Sequence, residues 1–213
     1  MNCDFPAVSF SLDDEALIVH SFSPLLAITS SITGGGIIPT RYIINMHVDK
    51  NYHCNSPAAD LMSLAERRGI TEPFHGFMTA VYLNKTKCVT LHEQNVTVTA
   101  FVTAGISNAA SAGISAPVSF IPGTINIILL VGANLTPAAL VNAVITATEA
   151  KTASLRDKNI LTSNGLSATG TSTDAICIAC TGRGQPTDYA GSATLIGWLM
   201  ARAVRQCLES ALA

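Results

Sequence analysis

The run Ala168-Thr169-Gly170-Thr171-Ser172-Thr173-Asp174 leads directly into the apolar segment Ala175 to Cys180. Hydroxyls, a flexible glycine and one carboxylate at the start of an apolar strand make a candidate polar site. A carboxylate in that position is costly unless paired, and its natural partner is Lys151. That lysine lies on a helical stretch whose phase is set by Thr136 as N-cap and Pro137 in the first turn. At about 100° per residue, Leu140, Val144, Leu155, Val141 and Ile145 fill one arc with Lys151 inside it. Glu149 falls about 40° beyond Ile145. A lysine in an apolar stripe must snorkel, pair with a carboxylate or titrate neutral. The plain structural readings are a snorkelling stem near the helix C-terminus and an Asx-turn at Asp174.

Three further segments place polar groups and glycine beside an apolar run. Ser30-Ser31-Ile32-Thr33-Gly34-Gly35-Gly36 lets backbone N–H groups approach a ligand, but no GKS or GKT follows to make it a P-loop. Thr103-Ala104-Gly105-Ile106-Ser107-Asn108 ends an alternating stretch. Pro122-Gly123-Thr124-Ile125-Asn126 opens another and sets an amide inside it. Asn126 has up to four hydrogen-bond sites to satisfy, so it either stitches loops together or meets a substrate. The histidines, His20, His47, His53, His75 and His92, show no metal-ligand spacing. Cys177 and Cys180 mimic a redox pair, but strand residues three apart face opposite sides, so they read as small buried hydrophobes.

The elements that must position these groups follow from periodicity. Strands are expected at Ala16–Phe22, Leu25–Thr29, Tyr42–Val48, Phe77–Leu83, Val96–Thr103, Ile125–Val131 and Ala175–Cys180. Helices are expected at Ser56–Arg68, with Ser56 as N-cap and Gly69 as the stop, at Pro137–Leu155, and near Ala193–Leu212. No linker or repeat divides the chain. The expectation is one α+β domain over residues 1–213, a mixed, largely antiparallel sheet or sheets packed with about three helices. The alternative arrangement is a four-layer α/β/β/α sandwich.

The 213 residues are 48% hydrophobic and 12% charged with net charge −2, against about 25% charged in an average domain. Such a composition excludes disorder and leaves no basic footprint for nucleic acid. The start, Met1-Asn2-Cys3-Asp4, lacks a basic leader, and no apolar run approaches the ~20 residues of a membrane span. A soluble, cytoplasmic protein is expected, with self-association left open.

Taken in order, these segments resemble one family, the adenosylcobinamide amidohydrolases of corrinoid salvage. The resemblance rests on Leu26 to Ser31 with Gly34-Gly35-Gly36, on Ile44-Asn45-Met46-His47-Val48, on Gly76-Phe77-Met78-Thr79-Ala80-Val81, and on Thr103 to Asn108. It continues through Gly123-Thr124-Ile125-Asn126, Thr146 to Thr152, Ala168 to Ala175, and Tyr189-Ala190-Gly191. It implies hydrolysis of the amide joining the aminopropanol arm to the corrin ring, giving adenosylcobyric acid and 1-amino-2-propanol. The corrinoid would be the substrate, with no other cofactor and no metal required. A corrinoid carrier or sensor without chemistry is the alternative. Water attack would use Asp174 or Glu149 as base, Lys151 as electrostatic or acid partner, and Asn108 and Asn126 as amide donors. Alternatively a hydroxyl of Thr171, Thr173 or Thr124 attacks, with Gly123-Thr124 or Gly170-Thr171 as a self-cleavage point. Ser30, Ser31, Gly34, Gly35, Asn45, Thr79, Thr103, Thr124, Thr171 and Thr173 are the expected substrate contacts. The chain departs from the family where some members carry a His and a Glu after the Tyr-Ala-Gly motif; Ala193 and Trp198 stand there.

Overall fold

The structure, a computed structural model, describes residues 4–117 and 123–213; readings that fall on Met1 to Cys3 and on Pro122 lie outside them. Eight strands form the main sheet: β1 Val8–Leu12, β2 Ala16–Thr29, β3 Gly36–His47, β4 Phe74–Thr79, β5 Lys87–Glu93, β6 Val96–Ala104, β7 Ile125–Val131 and β8 Ala175–Cys180. The helices are α1 Pro57–Arg67, α2 Pro137–Asp157 and α3 Leu195–Ala211. The hydrogen-bonded order is β4-β3-β2-β8-β7-β6-β5, with β1 on β2. Only β3–β4 and β7–β8 are parallel in this mixed sheet.

The shape of the sheet comes from β2. It pairs β3 along both halves; on its other edge the first half pairs β1, with Leu17 beside Leu12, and the second half pairs β8, with Thr29 beside Cys177. The register shifts between His20 and Leu25, a bulge that lets a long strand turn a corner. The first half, with β1, β4 and the end of β3, therefore folds back over β8, β7 and β6. Leu17, Val19, Ile43 and Phe77 of one layer meet Phe101, Ile128, Leu130, Cys177 and Ala179 of the other. Outside the first layer, Ile18, Ile44 and Met46 pack on Leu61, Leu64 and Ala65 of α1. Outside the second, Ala100, Val102, Ile127, Leu129 and Ile178 pack on α2 and α3. One continuous sheet thus forms the two middle layers of an α/β/β/α arrangement, the alternative raised by the sequence.

Several local expectations change. Ala16–Phe22 and Leu25–Thr29 are one bent strand, and the strand expected at Phe77–Leu83 is β4, with Leu83 in a 3-10 turn. β1 and β5 were not anticipated; both lie at edges and contain no buried residue, β1 alternating half-buried with exposed positions and β5 running half-buried from Lys87 to Leu91. Ser56 makes no side-chain cap; its carbonyl instead accepts from Ala59 N at 2.9 Å. The helix expected near Ala193–Leu212 is α3, capped by Thr194, whose hydroxyl accepts from Gly197 N at 3.0 Å. On α2 the buried stripe is Ala139, Leu140, Ala143, Thr146, Ala147, Ala150, Lys151, Ser154 and Leu155. Val141 and Ile145 are half exposed. Alanines let α2 approach its neighbours closely, and the bulky branched residues face outward. Cys177 and Cys180 do lie in separate cores, one on each side of the second layer.

His75, on β4, is 1% exposed, and its ring abuts Gly34, where a Cβ would sit 2.7 Å from Nδ1. Burial pushes its pKa below the ordinary 6.5. The unfolded chain then binds more protons below that pH, so stability is lost as pH falls through 6.5. The urea midpoint should drop between about pH 7 and pH 5.5 in the wild type and drop less in His75→Gln, which has no imidazole to titrate.

Candidate active site

Along the inner strand faces, the period of two carries apolar side chains through the interlayer core and polar ones at one end. Phe101 is followed by Thr103, Ile43 by Asn45 and Phe77 by Thr79, while Ile128 is preceded by Asn126. Asn126, 2% exposed, donates from Nδ2 to Asn45 Oδ1 (2.9 Å) and to the Met78 carbonyl (2.8 Å). Asn45 in turn donates to Thr103 Oγ1 at 3.2 Å. Thr124 Oγ1 lies 3.0 Å from Asn126 Oδ1 and 2.8 Å from the Thr173 carbonyl. Strands that are not neighbours in the sheet are joined here, which is possible only because it has folded over.

A cavity of 310 Å³ lies above this network, between the loops of the two layers. Val48, Asp49, Tyr52, Pro57 and Thr79 come from the first layer and its loop to α1; Gly123, Thr124, Thr173 and Asp174 come from the second. Asp174 Oδ1 accepts from Ile125 N at 3.1 Å and from the Thr171 hydroxyl, and Oδ2 accepts from Lys151. The ion-paired side chains are 11% (Lys151) and 18% (Asp174) exposed. A Cβ on Gly170 would overlap Asp174 Oδ2 and lie 2.6 Å from Lys151 Nζ, so glycine is what lets the loop close over the pair. A carboxylate offers about four acceptor positions; Asp174, which lines the cavity, has three of them occupied by these partners.

The remaining sequence candidates divide. Ser30 lines the cavity and is pinned by Ile176, its Oγ accepting from Ile176 N at 3.0 Å. Thr79 lines it and accepts from Val81 N at 3.1 Å, and Thr173 lines it and donates to the Gly123 carbonyl at 2.6 Å. Asn45 and Thr103 lie beneath it. Ser31 donates to the Thr33 carbonyl at 2.7 Å, Gly34 packs on Phe74 and His75, and Gly35 sits against the Ser31 carbonyl; all three are outside the lining. Asn108 donates to the Gly123 carbonyl and Ser172 Oγ, each at 2.7 Å, and fastens two loops. Both amide hydrogens of Asn126 and both of Asn108 are therefore engaged within the protein, against their expected role as donors to substrate. Glu149 is exposed and about 200° around α2 from Lys151, so the structure removes it from the site.

Asp49 and Tyr52 were missed. Their signal was only a turn composition, Asp49-Lys50-Asn51-Tyr52, after an apolar strand. Tyr52 donates to Asp60 Oδ2 at 2.5 Å; burial and this carboxylate raise its pKa, keeping the phenol neutral. Among the described residues, no three His, Cys, Asp or Glu side chains converge as metal ligands. Ala193 and Trp198 are outside the cavity lining; the Trp198 ring lies on the surface of α3 under the Arg202 guanidinium, 5.0 Å away.

Residues 7–213 match the adenosylcobinamide amidohydrolase family. The chain belongs to that family. An adenosylcobinamide amidohydrolase of Methanosarcina mazei is 32% identical over 214 residues, covering 96% of this chain and 98% of the relative. An uncharacterized protein of Methanocaldococcus jannaschii is 45% identical over 92 residues, 42% of this chain and 36% of that protein. A further adenosylcobinamide amidohydrolase, from Halobacterium salinarum, is 37% identical over 91 residues, 43% of this chain and 36% of its own. Among solved structures, the PH0078 protein from Pyrococcus horikoshii OT3 aligns with TM-score 0.49 and 13% identity, over 95% of this chain and 78% of that one.

The largely buried Lys151–Asp174 pair makes a stability prediction. Asp174→Asn leaves Lys151 without its counter-charge and should cost about 3 kcal/mol in urea unfolding. Adding Lys151→Met should recover part of that loss, a coupling that a double-mutant cycle measures.

Proposed function

We propose that the chain hydrolyses the amide between the corrin ring and the aminopropanol arm of adenosylcobinamide, in corrinoid salvage. Adenosylcobyric acid and 1-amino-2-propanol are the products. The observation that carries this reading is the Asp174 carboxylate, held by Lys151, Thr171 and Ile125 N at the wall of a small cavity. At 310 Å³ the cavity is at the small end of ligand sites, which run from about 300 to 1,000 Å³. It suits the arm and its amide, with the macrocycle remaining at the mouth, where Ile32 is 47% exposed.

Water, rather than a threonine, is the better nucleophile. Thr171 bonds to a carboxylate but does not line the cavity, whereas Thr124 and Thr173 line it but have carbonyl or amide oxygens as acceptors. None of the three combines access with a base, as hydroxyl activation requires. Asp174 takes a proton from water as its oxygen bonds to the amide carbon. The same proton passes to nitrogen as the C–N bond breaks, leaving carboxylic acid and amine. Lys151 holds the carboxylate in position, and Asn45 and Asn126 hold the strands on which the cavity rests.

Incubation with adenosylcobinamide and chromatography of the corrinoid should show conversion; a bound but unchanged corrinoid would instead support a carrier. Asp174→Asn, assayed where circular dichroism shows it folded, should lose about 10²–10⁴-fold in kcat. A near-normal rate would remove Asp174 as base. Intact mass should show one full-length species, and turnover should survive dialysis against a strong chelator.

A further inference from the structure

The cavity carries two carboxylates in unlike electrostatic settings. Asp174, from the second layer, is neutralised by Lys151. Asp49, from the loop after β3 in the first layer, forms no ion pair among the described residues. Its Oδ1 accepts from Asn51 N at 2.7 Å, and its carbonyl accepts from Tyr52 N at 2.9 Å. These two bonds hold the carboxylate on the cavity wall and leave Oδ2 for something else. The neighbouring wall offers Val48, Pro57 and the ring of Tyr52, whose hydroxyl is committed to Asp60. A solvent-exposed carboxylate without an ion-pair partner, beside apolar surfaces and lining the same cavity as a neutralised one, is complementary to a compact cation with an alkyl body.

We infer that Asp49 is the specificity residue for the leaving amine, taking the amide N–H in the substrate and the alkylammonium in the product. This rests on the amidohydrolase reading, and it gives the reaction a direction in space. The acyl carbon and attacking water lie toward Asp174, and the amine departs toward the first layer. Breaking the C–N bond turns a neutral amide into an amine that is protonated at neutral pH. Asp49 therefore binds product more strongly than substrate, and the free amine inhibits.

The test uses the full chain and 1-amino-2-propanol as probe, with 1,2-propanediol as its uncharged analogue. In ligand-observed NMR without corrinoid, the amine should bind wild type, the diol should not, and Asp49→Asn should weaken amine binding about tenfold. Asp49→Glu, which keeps the charge, should retain most of it. In the corrinoid assay, the inhibition constant of the amine should rise by a similar factor in Asp49→Asn, with KM rising more than kcat falls. Equal amine binding in wild type and Asp49→Asn would overturn the assignment, as would inhibition by the diol equal to that by the amine. If adenosylcobinamide is not converted but the amine still binds through Asp49, the amidohydrolase reading fails while the cation site stands.

Discussion

A buried amide that finds no partner costs about 1–3 kcal/mol, and that constraint governs how the two sheet layers end. Asn45 and Asn126 lie on strands separated by β2 and β8 in the hydrogen-bonded order, yet each supplies what the other lacks. Their bond, extended to Thr103 and the Met78 carbonyl, forms only when the bulge in β2 has folded the sheet over. Apolar packing of Phe77, Phe101 and Ile128 draws the layers together without fixing their relative position. The amides do fix it, because a hydrogen bond tolerates a few tenths of an ångström where a hydrophobic contact tolerates more. The cavity rests directly on this junction.

Chemistry in this protein is confined by scarcity of charge. A buried ion pair is weak evidence for stability, since desolvation offsets most of its Coulomb attraction. Lys151 and Asp174 are held instead by a dense frame: the alanine face of α2 beneath, Gly170 above, and the Thr171 hydroxyl and Ile125 N at the side. The rest of the cavity is hydroxyl, amide and hydrocarbon apart from Asp49 and Asp174. Such a wall leaves any charge-dependent step to these two carboxylates.

Much of the fold was legible in residue pattern. Strands Ile125–Val131 and Ala175–Cys180, the Thr136 cap and the opposed cysteines follow from local periodicity, which needs no knowledge of partners. The face of α2 was read wrongly at Val141 and Ile145 because hydrophobicity ranks them above alanine. Close helix packing prefers the smaller residue. Edge strands β1 and β5 were not legible, since half-exposed edges dilute the alternation on which recognition depends. Glu149 failed as a candidate for a related reason: proximity in sequence to Lys151 becomes the far side of a helix.

By itself, the sequence determined the α+β class, the family and the pairing of Lys151 with Asp174. Each depends on residue types, short spacings or an ordered set of motifs. Only the tertiary structure decided that one strand turns a corner, that Asn45 meets Asn126, and that Asp49 shares a cavity with Asp174. These depend on contacts between residues far apart in the chain, set by a bulge whose local sequence, Ser21-Phe22-Ser23-Pro24, says that the chain bends but not what it will face. The partner is chosen by which polar ends the folded layers bring level.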